Sequence, residues 1–163
     1  MVEFLDFIKS YLTSKFSSDT SIASTKRPKV YDAYQVGHEP SKIKSCEIQV
    51  QVLDNSEFQF ATSFDKKNAN YIPLQITAYA PQMTISSQTV SAEKASLILG
   101  DKVEKYINDL IYAEVGSENR NRNILSGRLM SSSPALPMNE GGSLYMTALR
   151  YDFKVLYPYV TGV

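Results

Sequence analysis

The chain is poor in the residues from which small active sites and metal centres are built. It has one cysteine, one histidine and no tryptophan among 163 residues. A single Cys46 cannot close an intramolecular disulfide or supply a cysteine metal site. It falls on the apolar side of an alternating segment, which predicts a buried small hydrophobe rather than a nucleophile. His38, in VGHEP, is the one histidine that a serine or cysteine triad could use, and its place after an extended stretch predicts a turn residue. Phosphate loops of the G-x-x-x-x-G-K and G-x-G-x-x-G types are missing, and so is a G-x-S-x-G elbow. The carboxylates are scattered, with neither the spacing of a paired acid–base site nor an EF-hand pattern. These absences predict a protein that is not an enzyme, with no catalytic residues, no metal and no cofactor.

A net charge of either sign is missing as well. Lys+Arg and Asp+Glu both number 17. No strong basic field exists to draw nucleic acid to the surface. A near-neutral chain also resists self-association weakly, which suits a subunit of an assembly. No run of about 18 apolar residues is present to span a membrane. The start, MVEFLDFIKSYL, carries Glu3 and Asp6 where a signal peptide needs basic residues, and Lys9 interrupts its apolar run. The expectation is a soluble protein made in the cytoplasm, with no membrane partner.

What is present is the pattern of a folded domain. Hydrophobic residues make up 43%, enough for one core over residues 1–163. Phe4, Ile8, Tyr11, Leu12 and Phe16 recur at helical spacing and predict a helix over about 2–16. Residues 17–25 read as a small, polar, mobile loop. Residues 29–36 predict a strand. Residues 45–53 alternate strictly, with Cys46, Ile48, Val50 and Val52 on one face and Glu47, Gln49 and Gln51 on the other. EFQFAT at 57–62 continues the sheet after a turn at Asp54-Asn55. Residues 71–80 alternate again, but Pro73 lacks an N–H and predicts an edge or a bulge there.

Ser91 is the expected N-cap of a long amphipathic helix over about 92–114, with Glu93 in its first turn and Gly116 at its end. Its apolar stripe runs through Ala95, Leu99, Val103, Tyr106 and Leu110, widened by Ile107 and Ile111. Asp101 and Lys105 are placed to pair at i,i+4. Residues 117–123 read as a polar loop, 123–131 as a strand with a glycine bulge, and 133–142 as irregular. The segment 143–157 alternates throughout: Leu149, Tyr151, Phe153 and Val155 share one face, and Arg150, Asp152 and Lys154 the other. The order helix, strands, helix, strands has no βαβ rhythm. It predicts an α+β fold, a mainly antiparallel sheet packed by an N-terminal helix and a long central helix.

The series just described resembles the tail terminator (tail completion) proteins of long-tailed phages and phage-tail-like particles. EIQVQVLDN, YIPLQITAYAPQM and the helix SAEKASLILGDKVEKYINDL are followed by NRNILSGRLMSSSPALPM and GGSLYMTALRYDFKVLYPY. The likeness is one of order, length and segment style from residue 2 to 160, with SSSPALPM and ALRYDF its most specific parts. It implies a homo-oligomeric ring, a hexamer, that caps the tail tube, stops its growth and offers the head-joining surface. The implied partners are the tail tube protein, a head–tail connector or neck protein, and a sheath protein if the tail contracts. DNA meets such a ring only in passage through its channel. The implied location is the head-proximal end of a virion tail, assembled in the host cytoplasm. A connector or neck protein, another tail or baseplate subunit, and a small enzyme are the alternatives.

Arg120, Arg122 and Arg128 read as the local basic cluster, either a solvated loop or a contact to phosphates or partner carboxylates. At the C-terminal end, Pro158 should stop regular pairing, so Tyr157, Tyr159 and Val160 are expected at a boundary between subunits. These six residues are the candidate interface.

Overall fold

The computed structural model describes residues 2–33, 35–53, 61–62, 68–116 and 124–157. Helix α1 (Val2–Ser17) places Phe4, Ile8, Leu12 and Phe16 on one fully buried stripe. Strand β1 (Lys29–Asp32) pairs with β2 (Glu47–Val52) in parallel. The short β3 (Ala61–Thr62) and the long β4 (Asn68–Pro81) follow, then a separate hairpin of β5 (Met83–Ile85) and β6 (Gln88–Val90). Helix α2 (Ala92–Gly116) leads to β7 (Ile124–Ser132), β8 (Leu136–Pro137) and β9 (Leu144–Tyr157). The main sheet runs β1-β2-β4-β9-β7, with β3 beside β4 and β8 beside β9. All pairings except β1 with β2 are antiparallel. The α+β class and the mainly antiparallel sheet agree with the sequence.

One face of the sheet carries the core. Val50, Ile76 and Leu149 lie in register across β2, β4 and β9, and Ile72 sits opposite Phe153. Helix α1 packs over β1 and β2, and α2 packs over β4, β9 and β7. Ile48, Val50, Ile76, Leu99, Val103, Leu110, Leu149 and Phe153 all join a single buried cluster. Phe4 meets Phe153 edge-on, with ring centroids 5.2 Å apart. Each such fully buried apolar side chain contributes about 1.5–3 kcal/mol of hydrophobic stabilisation.

Several expectations change. The strand expected over 29–36 stops at Asp32, because Gln35 N–H donates to the Asp32 carbonyl and turns the chain. The loop at 17–25 is tied down. Ile22 is buried in the core, Lys102 Nζ lies 2.8 Å from Asp19, and the Arg27 guanidinium donates to the carbonyls of Ser17, Asp19 and Ile22. Residues 57–60 lie outside the described residues, so of EFQFAT only Ala61–Thr62 is seen as a strand.

Pro73 is inside the sheet, opposite Asp152 of β9. It is tolerated because β2 ends there: the last ladder pair is Val52 with Leu74, and Leu53 N–H then donates to the Pro73 carbonyl. The missing donor faces the side on which the partner strand stops.

Ser91 caps α2 as expected, its Oγ accepting from Lys94 N–H at 3.3 Å. Asp101 and Lys105 do not close an ion pair; Lys102 is the α2 lysine that finds a carboxylate, on Asp19. The irregularities in β7 flank Gly127 rather than fall on it. Gly127 is needed for a different reason, the close approach of α2. Within 133–142, Leu136–Pro137 form a strand against Tyr145 and Met146.

Candidate functional site

The polar side of β2 is covered at one end, which the alternation alone did not show. Glu47 and Gln49 are buried. The connection from β1 to β2 folds back so that His38 Nδ1 sits 3.1 Å from Glu47 Oε2, with the His38 ring stacked on Tyr31 at 3.7 Å. Gln49 Nε2 donates to the His38 carbonyl and to Glu47 Oε1. His38 is thereby held in a closed polar cluster, in the turn expected for it. Cys46 Sγ donates to the Lys26 carbonyl at 2.9 Å, and burial pushes its thiol up to about 11. A protonated thiol at neutral pH is a poor nucleophile. Among the described residues, no group of three or more His, Cys, Asp or Glu is disposed to hold a metal. No described helix is long and apolar enough to cross a membrane.

What the fold does offer is surface. The face of the sheet away from the helices also carries a small apolar cluster of Ile43, Tyr79 and Leu144 with Met138 and Met146, and polar side chains beyond it. Arg128 of β7 is the register partner of Asp152, and Arg150 stands opposite Gln75. Lys154 Nζ lies 5.5 Å from the centroid of the exposed Tyr71 ring. Arg128 is therefore exposed on this face, next to a carboxylate-bearing strand. Arg120 and Arg122 lie outside the described residues, as do Tyr159 and Val160. Tyr157 ends β9, with Asn68 as its register partner. Of the six interface candidates the structure places two, Arg128 and Tyr157, both in the β7–β9 half of the sheet.

A stronger basic surface lies elsewhere. An open cleft of about 810 Å³ is walled by residues 20–31, 44–46 and 81–87. Its lining contains Lys26, Arg27, Lys29 and Lys44, several hydroxyls and no carboxylate. The three lysines are exposed and form no ion pair among the described residues. Three of the four cations sit in TKRPK at 25–29, a basic run more compact than the arginines of 120–128. Charge density over five residues would have found it. Lys44 joins only because β1 and β2 run parallel, which brings the start of both strands to one end of the sheet.

The exposed side of α2 is of mixed charge, with Lys94 and Lys105 exposed beside Glu93 and Asp101. Glu93, Asp101 and Glu104 carry no ion pair among the described residues, and Leu97 between them is 40% exposed.

No family model matches the chain, and no curated protein matches it. Among solved structures, it is similar to a chain of one titled "Virion of native gene transfer agent (GTA) particle". The identity is 13% and the TM-score 0.47, with 91% of this chain and 93% of that chain covered. A likeness of that degree identifies neither a family nor an activity.

Proposed function

We propose that the chain is a structural subunit of a phage-tail-like particle: a tail terminator that forms a ring, a hexamer, on the last ring of the tail tube. It stops tube growth there and presents the joining surface for a connector or neck protein. The observation that carries this is the segment series itself. The stretches that resemble tail terminators, from the N-terminal helix to YDFKVLY, fold as the consecutive elements of one α+β body. Among the described residues that body has β1 and β7 as its sheet edges, with no further strand beside either. His38 and Cys46, the residues that a catalytic alternative would use, are engaged in structural contacts.

The test is location. Gold-labelled chain on intact particles should mark one site, at the head-proximal end of the tail. Label repeated along the tube would make the chain a tube subunit, and label at the far end a baseplate one.

A further inference from the structure

The cleft walled by residues 20–31, 44–46 and 81–87 is fixed by bonds between its own walls. Cys46 Sγ donates to the Lys26 carbonyl at 2.9 Å and joins the first wall to the second. Ser86 N–H donates to the Ser21 carbonyl at 2.8 Å and joins the third to the first. The Arg27 guanidinium is spent on the carbonyls of Ser17, Asp19 and Ile22. The carboxylates next to the lining in sequence are engaged as well: Asp19 by Lys102, Asp32 by Lys9, and Glu47 by His38 and Gln49. Lys26, Lys29 and Lys44 remain exposed, with no acidic partner among the described residues.

Around these ammoniums, Thr25, Ser45, Thr84, Ser86 and Ser87 bring exposed hydroxyls. Ser86 and Ser87 do so at φ 50° and 64°, a left-handed conformation that glycine enters at no steric cost. Serine there keeps two hydroxyl donors at the cleft at the expense of backbone strain. Ammoniums and hydroxyls without a carboxylate suit the oxygens of phosphate groups. Other anionic partners find less. Pro81 and Met83 are half-buried and Cys46 is buried, so a peptide side chain meets no open apolar anchor. Tyr31, the aromatic residue of the lining, already stacks on His38, so its ring is not given over to a base. Three ammoniums spread over a cleft of about 810 Å³ call for a ligand with several phosphates.

We propose that this cleft binds the phosphate backbone of a nucleic acid strand, without regard to base. A net charge of zero gives no long-range field to draw the strand in. The attraction acts at contact, so binding is weak and depends on salt.

The test is fluorescence anisotropy of purified full chain with labelled single strands, one of dT alone and one of mixed sequence. Both should bind with affinities within about threefold of each other. Three phosphate contacts predict that log K falls with log salt at a slope of about −2. Lys26→Ser/Lys29→Ser/Lys44→Ser should weaken binding at least about tenfold at low salt and flatten the slope. Each single Lys→Ser change should reduce the slope by about 0.7, which keeps the test open if the triple variant fails to fold by circular dichroism. Lys94→Ser/Lys105→Ser removes two exposed lysines from α2 and should leave binding unchanged. Wild type that does not bind would overturn the proposal, as would cleft variants that bind like the wild type or an α2 variant that loses as much. Two competitors separate the sources of negative charge. Inorganic polyphosphate that displaces the strand at lower phosphate concentration would assign the cleft to free polyphosphate instead, and polyglutamate that displaces it equally well would assign it to an acidic peptide. Purified chain is enough for every arm, so the outcome is independent of the ring proposed above.

Discussion

A Cβ built on Gly127 would stand 2.6 Å from Cδ1 and 2.7 Å from Cγ1 of Ile111. Strand β7 and helix α2 therefore touch backbone to side chain, at a distance that any larger residue forbids. The aromatic ring of Phe153 closes the same spot, 2.9 Å from that Cβ position. Gly127→Ala should lower stability by about 1–3 kcal/mol, as overpacking does. Ile111→Ala added to it should recover part of the loss. Thermal or denaturant unfolding of the two single variants and the double variant measures this. Strict additivity would show that the two residues do not compete for one space.

The central aromatic pair of β9 gives a sharper contrast. Phe153→Ala should destabilise by about 3–5 kcal/mol, since the ring is fully buried against Phe4 and β4. Tyr151 is just as buried, but its hydroxyl has no hydrogen-bond partner among the described residues, and burial pushes its phenol pKa up. An unsatisfied buried hydroxyl is itself destabilising. Tyr151→Phe should thus be neutral or stabilising in the same unfolding assay. A loss above about 1 kcal/mol would reveal a partner for that hydroxyl.

The helical stripes and the helix-facing sides of β2, β4 and β9 were legible because spacing alone picks out the core side chains, whereas the burial of Glu47 and Gln49 on the other side of β2 was not. The hairpin at 83–90 was not. Its turn uses Ser86 and Ser87, both at positive φ, where glycine or asparagine is the usual signal. Its cost is supported by tertiary contact: Ser86 N–H donates to the Ser21 carbonyl at 2.8 Å. The parallel pairing of β1 was hidden for a similar reason, since nothing local states which strand will lie beside it. The basic cleft needed both the TKRPK run and that pairing. The tight spacing at Gly127 read as a bulge because a sequence does not show a helix arriving from above.

Stability should fall on acidification partly through Asp19. Burial alone would raise its pKa, but hydrogen bonds from Lys102 and Ser21 outweigh it and hold the carboxyl at about 2, below the ordinary value of 3.8. A depressed carboxylate pKa stabilises the folded state above the unfolded value. That contribution should disappear as pH drops from about 4 toward 2. Asp19→Asn should flatten this part of the stability–pH profile while lowering stability at pH 7. An unchanged slope in the variant would mean that the Asp19–Lys102 pair does not carry it.

The arginine cluster and the C-terminal aromatics have separate tests. Arg120, Arg122 and Arg128 replaced together by Ser should leave the melting temperature nearly unchanged and reduce assembly onto tubes. Deletion of residues 159–163 should likewise keep the core, whose last member among the described residues is Val155 in β9, and impair attachment. Particles as numerous and complete as the wild type's would reduce either feature to solvated surface.

The central claim is that this chain ends tail growth, and the most direct measurement is tube length. Particles from cells that lack the chain should show tubes of uncontrolled length without heads, and supplying the chain should restore one uniform length. Tubes of normal, uniform length without the chain would contradict the account.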